Sequence, residues 1–135
     1  MPLNWTIDHE RRRVDVTVEG RLTGDDIRAY LKKITEDGAM PYAKLFDATG
    51  LQGRLPTDDL KEIGASIRQH AWDGRGPIGP LAIVVADSFT QFGASQFADA
   101  AGRSRPLEIF KDRAEAERWL QRNAAPTKAD QYRRY

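Results

Sequence analysis

Asp47, Asp87 and Asp112 are the acidic residues whose positions could combine into a reactive group. Each stands at or just past the end of a short apolar run that reads as a strand: Ala43–Ala48, Leu81–Ala86 and Leu107–Phe110. If those strands are parallel, the three carboxylates share one sheet edge, the edge at which open α/β sheets bind ligands. Carboxylates so placed can hold Mg²⁺ through oxygen, or let one of them accept a phosphoryl group. Thr49 and Gly50 follow Asp47, and Ser88 follows Asp87, so hydroxyls accompany two of the three. A plainer reading spends the carboxylates on structure: Asp87 begins a turn, Asp112 caps a helix and Asp47 bonds loop amides. That reading is preferred, and it leaves no catalytic residue, no metal and no cofactor.

Other chemistries find less support. The chain has no cysteine, which excludes disulfides, thiolate catalysis and sulfur-ligated zinc. His9 and His70 are the only imidazoles, and neither lies in a metal-ligand spacing. Gly74–Gly79 matches Gly-x-Gly-x-x-Gly, but it follows a helix and precedes a strand, the reverse of a dinucleotide loop. It reads as a connector, with Trp72 and Arg75 available to a partner. A serine hydrolase would need a Gly-x-Ser-x-Gly elbow, and Ser95 sits instead within a helical pattern. Arg11, Arg12 and Arg13 form a basic run that reads as a solvated turn guarding a sheet edge. With a net charge of +1, no whole-molecule field draws the chain to nucleic acid.

The elements that position these residues are legible. Val14, Val16 and Val18 alternate with Asp15, Thr17 and Glu19, the pattern of a strand with one wet face. Trp5 and Ile7 repeat it, so the two strands form an edge hairpin. Four helices follow. Thr23 with Asp26 opens the first, Thr57 the second, Ser88 with Gln91 the third, and Asp112 with Glu115 the fourth. Their apolar stripes include Tyr30 and Ile34, then Leu60, Ile63 and Ile67, then Phe89, Phe92 and Phe97, then Ala116 and Leu120. Leu81–Ala86 is apolar on both faces, so it belongs inside the sheet. The order ββαβαβαβα predicts a single-domain α/β sandwich of two to three layers. Its five-stranded mixed sheet starts with the hairpin and continues with parallel strands. The domain spans residues 1–123, and 124–135 reads as a polar tail. The third helix is heavy in phenylalanine; core packing is the default for that stripe, and any of its rings left exposed, Phe92 among them, would mark a dimer patch or the mouth of an apolar pocket.

Three segments resemble the SpoIIAA-like or STAS-like fold of anti-sigma-factor antagonists. Leu45–Leu51 (LFDATGL) resembles that family's strand ending in Asp-x-Ser/Thr-Gly. Val18–Gly24 (VEGRLTG) resembles its turn from strand into helix. Glu108–Leu120 (EIFKDRAEAERWL) is similar to the C-terminal strand and helix of the group described as STAS/SEC14-like. The resemblance implies a non-enzymatic binding or regulatory module of the bacterial cytoplasm that engages a protein partner or a small ligand. Its SEC14-like side implies a carrier of lipid or another apolar molecule. Phosphorylated members carry a second hydroxyl element after the third strand; residues 53–59 here (GRLPTDD) offer only Thr57, beside two carboxylates that would repel a phosphate. On this reading the ligand-binding candidates are Asp47, Thr49, Gly50, Thr57, Asp87, Ser88 and Phe92. A third alternative makes the strand-end aspartates phospho-acceptors or metal ligands of an enzyme. No signal peptide opens the chain, and the longest apolar run falls far short of the ~20 residues a bilayer span needs. The wet-faced hairpin and the aromatic third helix leave homodimerisation open.

Overall fold

The computed structural model describes residues 2–73, 78–101 and 105–124. The elements run in the expected order: β1 (Leu3–Asp8), β2 (Arg13–Gly20), α1 (Gly24–Glu36), β3 (Ala43–Leu51), α2 (Thr57–Trp72), β4 (Leu81–Val84), α3 (Ser88–Ala101), β5 (Leu107–Phe110) and α4 (Arg113–Asn123). The sheet has five strands in the order β1-β2-β3-β4-β5, with β1 antiparallel to β2 and every later pair parallel. Strands added always in the same direction through right-handed crossovers place every crossover helix on one face. Accordingly α1, α2 and α3 cover one face. Only α4, which follows the last strand, folds back onto the other.

The core follows this division. On the three-helix face, Val14, Val16 and Val18 of β2 meet Tyr30 and Ile34 of α1 and Ile63 and Ile67 of α2. Leu81, Ile83 and Val85 meet Ala94 and Phe97 of α3. On the opposite face, Leu45, Ala82 and Val84 meet Ala116 and Leu120 of α4. β4 is therefore buried on both sides, as its continuous apolar run requires. Thr17 and Glu19 of β2 stay exposed.

Several local readings change. Asp87, not Ser88, caps α3: its carboxylate accepts from the Thr90 amide at 2.8 Å and the Thr90 hydroxyl at 2.9 Å. A carboxylate one residue earlier reaches the free amides of the first turn better than a serine already inside the helix. Thr57 is itself the first residue of α2, with the Leu60 amide bonded to the Pro56 carbonyl. Thr23 and Asp26 do form a capping box, and Asp112 caps α4. Of the α3 phenylalanines only Phe97 packs into the core, whereas Phe89 and Phe92 are 56% and 58% exposed. Gly64 explains how α3 sits: a Cβ there would lie 2.7 Å from the Ala100 Cβ and 2.9 Å from the Ala101 amide nitrogen, so α2 and α3 touch almost backbone to backbone. The expectations for Trp72 and Arg75, for the loop at 74–77 and for the tail beyond 124 fall on side chains or segments outside the described residues.

Candidate functional site

The three aspartates do not form one site. Asp47 lies inside β3 rather than at its end, because β3 runs on to Leu51; its register partner is Val84, the last residue of β4. Its carboxylate accepts from the Thr49 amide at 3.0 Å, the Thr49 hydroxyl at 2.6 Å and the Arg113 guanidinium at 3.0 Å. Burial pushes the Asp47 carboxyl up, but the Thr49 bonds and the Arg113 charge outweigh it and hold it below the usual carboxylate range. Asp87 is likewise held low by the hydrogen bonds from Thr90. Asp112 accepts from the Ala114 amide at 2.8 Å. Each carboxylate is thus occupied by its own local structure, and no group of three acidic or imidazole side chains among the described residues could hold a metal ion. The strand order never reverses, so no switch-point crevice opens at this sheet edge.

The Asp47–Gly50 sequence has a structural explanation. Between Thr17 and Glu19 of β2 the pairing with β3 shifts register, from Asp47 to Gly50, so β3 carries the extra residue of a bulge. Asp47 closes the bulge through Thr49. Gly50 permits it, since a Cβ there would lie 2.5 Å from the Val18 carbonyl oxygen. Thr49 and Gly50 are exposed.

A different site lies between the helices and the sheet. An apolar cleft of about 120 Å³ opens on the three-helix face. Leu22 and Ile27, Leu55 to Ile63, the β3–β4 face and the inner side of α3 enclose it. Of the ligand-binding candidates named from sequence, Phe92 lines it, whereas Asp47, Thr49, Gly50, Thr57, Asp87 and Ser88 do not; Phe89 and Phe92 stand exposed on its rim. Arg54 lies over the Phe89 ring, 5.1 Å from its centroid.

Three cations line this cleft, Lys44, Arg54 and Arg105, and no carboxylate does. Lys44 alternates with Leu45 along β3, so its side chain enters the three-helix face, where it is 2% exposed. Its Nζ donates to the Met40 carbonyl at 2.6 Å and the Tyr42 carbonyl at 2.8 Å. Burial, reinforced by the Arg105 charge, pushes the Lys44 amine down to about 6. Arg105 precedes β5; its Nε is buried without a hydrogen-bond partner, and burial lowers even this guanidinium to about 10. The Tyr30 hydroxyl, also buried, is pushed above its ordinary range. Sequence reasoning passed over Lys44 and Arg105. A lysine at an inward position of a strand was the available signal; Arg105 sits in a connection, where no periodicity reports which way a side chain faces.

The five-stranded mixed sheet with three helices on one face and one on the other defines a small layered α/β domain. The sequence model of the SpoIIAA-like family matches residues 13–121, and the chain belongs to that family. The crystal structure of an uncharacterised protein of the DUF3478 family from Shewanella loihica PV-4, described as having a SpoIIAA-like fold, is similar in fold. The TM-score is 0.56 at 19% identity over 87% of this chain and 91% of that one. A comparison with curated proteins finds no match. Among the described residues no helix is long and apolar enough to cross a membrane.

Proposed function

We propose that this chain is a non-enzymatic binding module whose ligand is a small apolar molecule held in the cleft between α1, α2, α3 and the sheet. The observation that carries this reading is the cleft itself. A dry cavity of about 150 Å³ lined by Leu, Ile and Phe binds benzene-sized molecules, and the cleft here is of comparable size, about 120 Å³. The acidic alternative has less support, because Asp47, Asp87 and Asp112 are each engaged locally. Regulation follows from the position of the cleft: α3 forms one wall and presents Phe89 and Phe92 outward, so filling the cleft changes what that helix offers a protein partner.

The test is a titration of isotopically labelled protein with hexanol or benzyl alcohol, followed by amide NMR shifts. Binding in the cleft moves signals of Phe46, Leu60, Ile63, Gly93 and Phe97 together and saturably. Shifts confined to the rim, or none, refute the reading. Native mass spectrometry after mild purification adds a second readout. A retained small molecule supports the carrier form of the reading, a phosphate increment supports a phospho-switch instead, and a ligand-free dimer supports a self-association module.

A further inference from the structure

The cleft is apolar along its length, with Lys44 and Arg105 at one end and Arg54 at the rim of the other. Register fixes which end. Lys44 pairs with Leu81 and Leu81 with Leu107, so these three residues stand level near the N-terminal edge of the parallel strands, and Arg105 lies two residues before Leu107. Phe89, Phe92 and Arg54 mark the opposite, C-terminal edge, beyond Val85. From the level of Leu81 to that of Val85 is four residues, about 13 Å of strand. One slender ring or short chain fits that distance with its head beside Arg105 and its tail toward the phenylalanine rim.

Among the described residues no carboxylate pairs with the charge at the inner end. Neither Lys44 nor Arg105 makes an ion pair with any described residue. Lys44 lies within the field of Arg105, Arg105 interacts with Tyr30, and each of the two bases is made less basic by burial. Buried cations are ordinarily paired, because an isolated buried charge is costly. Other cations of the fold illustrate the ordinary case: Arg13 pairs with Asp15 and Glu117, Arg28 with Asp25 and Glu62, and Arg113 with Asp47. Lys44 spends two donors on carbonyls, which leaves its ammonium form one more; Arg105 has a planar fork of donors suited to a two-oxygen anion.

We propose that the cleft is a binding site for a small apolar carboxylic acid, a ring or short alkyl chain bearing one carboxylate, with Arg105 as the principal receptor of the head and Lys44 as its second donor. This inference rests on the apolar-ligand reading and adds the chemistry of the head. A carboxylate matches the site in charge, since an anion beside the Arg105 guanidinium meets a charge that no described carboxylate pairs, and it favours the ammonium form of Lys44. It also matches in shape, since the guanidinium offers paired donors and the apolar walls exclude a hydrated head.

The experiment compares hexanoate with hexanol, its neutral counterpart, by calorimetry and amide NMR, on the full chain and on Arg105→Met and Arg105→Lys. Arg105 is half-buried and pairs with no described carboxylate, so its replacement leaves the fold intact, which circular dichroism and denaturation confirm before binding is measured. The expected result is that both probes move cleft signals and that hexanoate binds about tenfold or more tightly than hexanol, the size of one hydrogen-bonded charge. Arg105→Met abolishes that preference, and Arg105→Lys retains part of it. If hexanol binds but hexanoate is no tighter, or if the preference survives Arg105→Met, the carboxylate inference fails and the apolar reading stands. If neither probe enters the cleft, both fail. Tighter binding of hexyl phosphate than of hexanoate overturns the carboxylate class.

Discussion

Replacing Lys44 by methionine should stabilise the protein, and by an amount that depends on pH in a defined direction. The Lys44 amine is lowered to about 6 in the fold, against 10.5 for an exposed lysine. Between those values the unfolded chain carries a proton that the native chain has given up, so native stability rises with pH; below about 6 both states are protonated and the dependence flattens. At about pH 8 the amine is held neutral roughly 2.5 pH units below its unfolded midpoint, at a cost of about 3 kcal/mol. Methionine has a similar length and no charge, and it adapts to irregular apolar space. It loses the bonds to the Met40 and Tyr42 carbonyls, about 1 kcal/mol each. The Met40 carbonyl keeps the Gly79 amide as a partner. The balance at about pH 8 is a gain on the order of 1 kcal/mol, which grows by about 1.4 kcal/mol for each unit of acidification toward 6. Urea denaturation of both proteins between about pH 6 and 9 measures the difference. The charged group acting on the amine is Arg105, on the approach to β5, which in turn interacts with Tyr30 of α1. The first is lowered only to about 10 and the second is raised, so neither titrates in this window. Every remaining titratable group is common to both proteins and cancels. A stability difference that does not change with pH, or a methionine variant less stable at about pH 6, would refute the reasoning and mean that the ammonium is compensated.

Other consequences follow from the packing. Gly50→Ala forces a Cβ against the Val18 carbonyl, a backbone atom that cannot yield, and should cost about 1–3 kcal/mol in denaturant. Gly64→Ala gains about 1 kcal/mol of helix propensity but drives α2 into the α3 backbone, so the measured midpoint should fall; a rise would show that the helices can separate freely. Thr23→Ala removes the capping box of α1 and should cost about 1 kcal/mol. Asp47 has a lowered folded value, so its contribution is present above its unfolded midpoint and is lost as pH falls through the folded one; Asp47→Asn should flatten that acid limb of the stability profile.

Much of the fold was readable because alternation and caps are local. Val14, Val16 and Val18 announced a one-sided strand, and Thr23 with Asp26 announced a helix start; both features depend on residues only a few positions apart. The unreversed strand order was not readable, because periodicity does not encode which strands are neighbours. The acidic residues drew attention for a sound reason, their common sheet edge, yet Thr49, Thr90, Arg113 and the Ala114 amide had already engaged them. The cationic end of the cleft escaped notice because its two basic residues come from distant parts of the chain. Lys44 looked like one residue in an apolar strand, and Arg105 is brought beside it only by the β4–β5 pairing.

The most direct test of the central claim is a crystal structure of the protein grown with hexanoate. The account predicts the chain lying between Phe46 and the inner face of α3, its carboxylate within hydrogen-bond distance of the Arg105 guanidinium and its tail toward Phe89 and Phe92. A cleft filled by repacked side chains, with hexanoate elsewhere or absent, would contradict it.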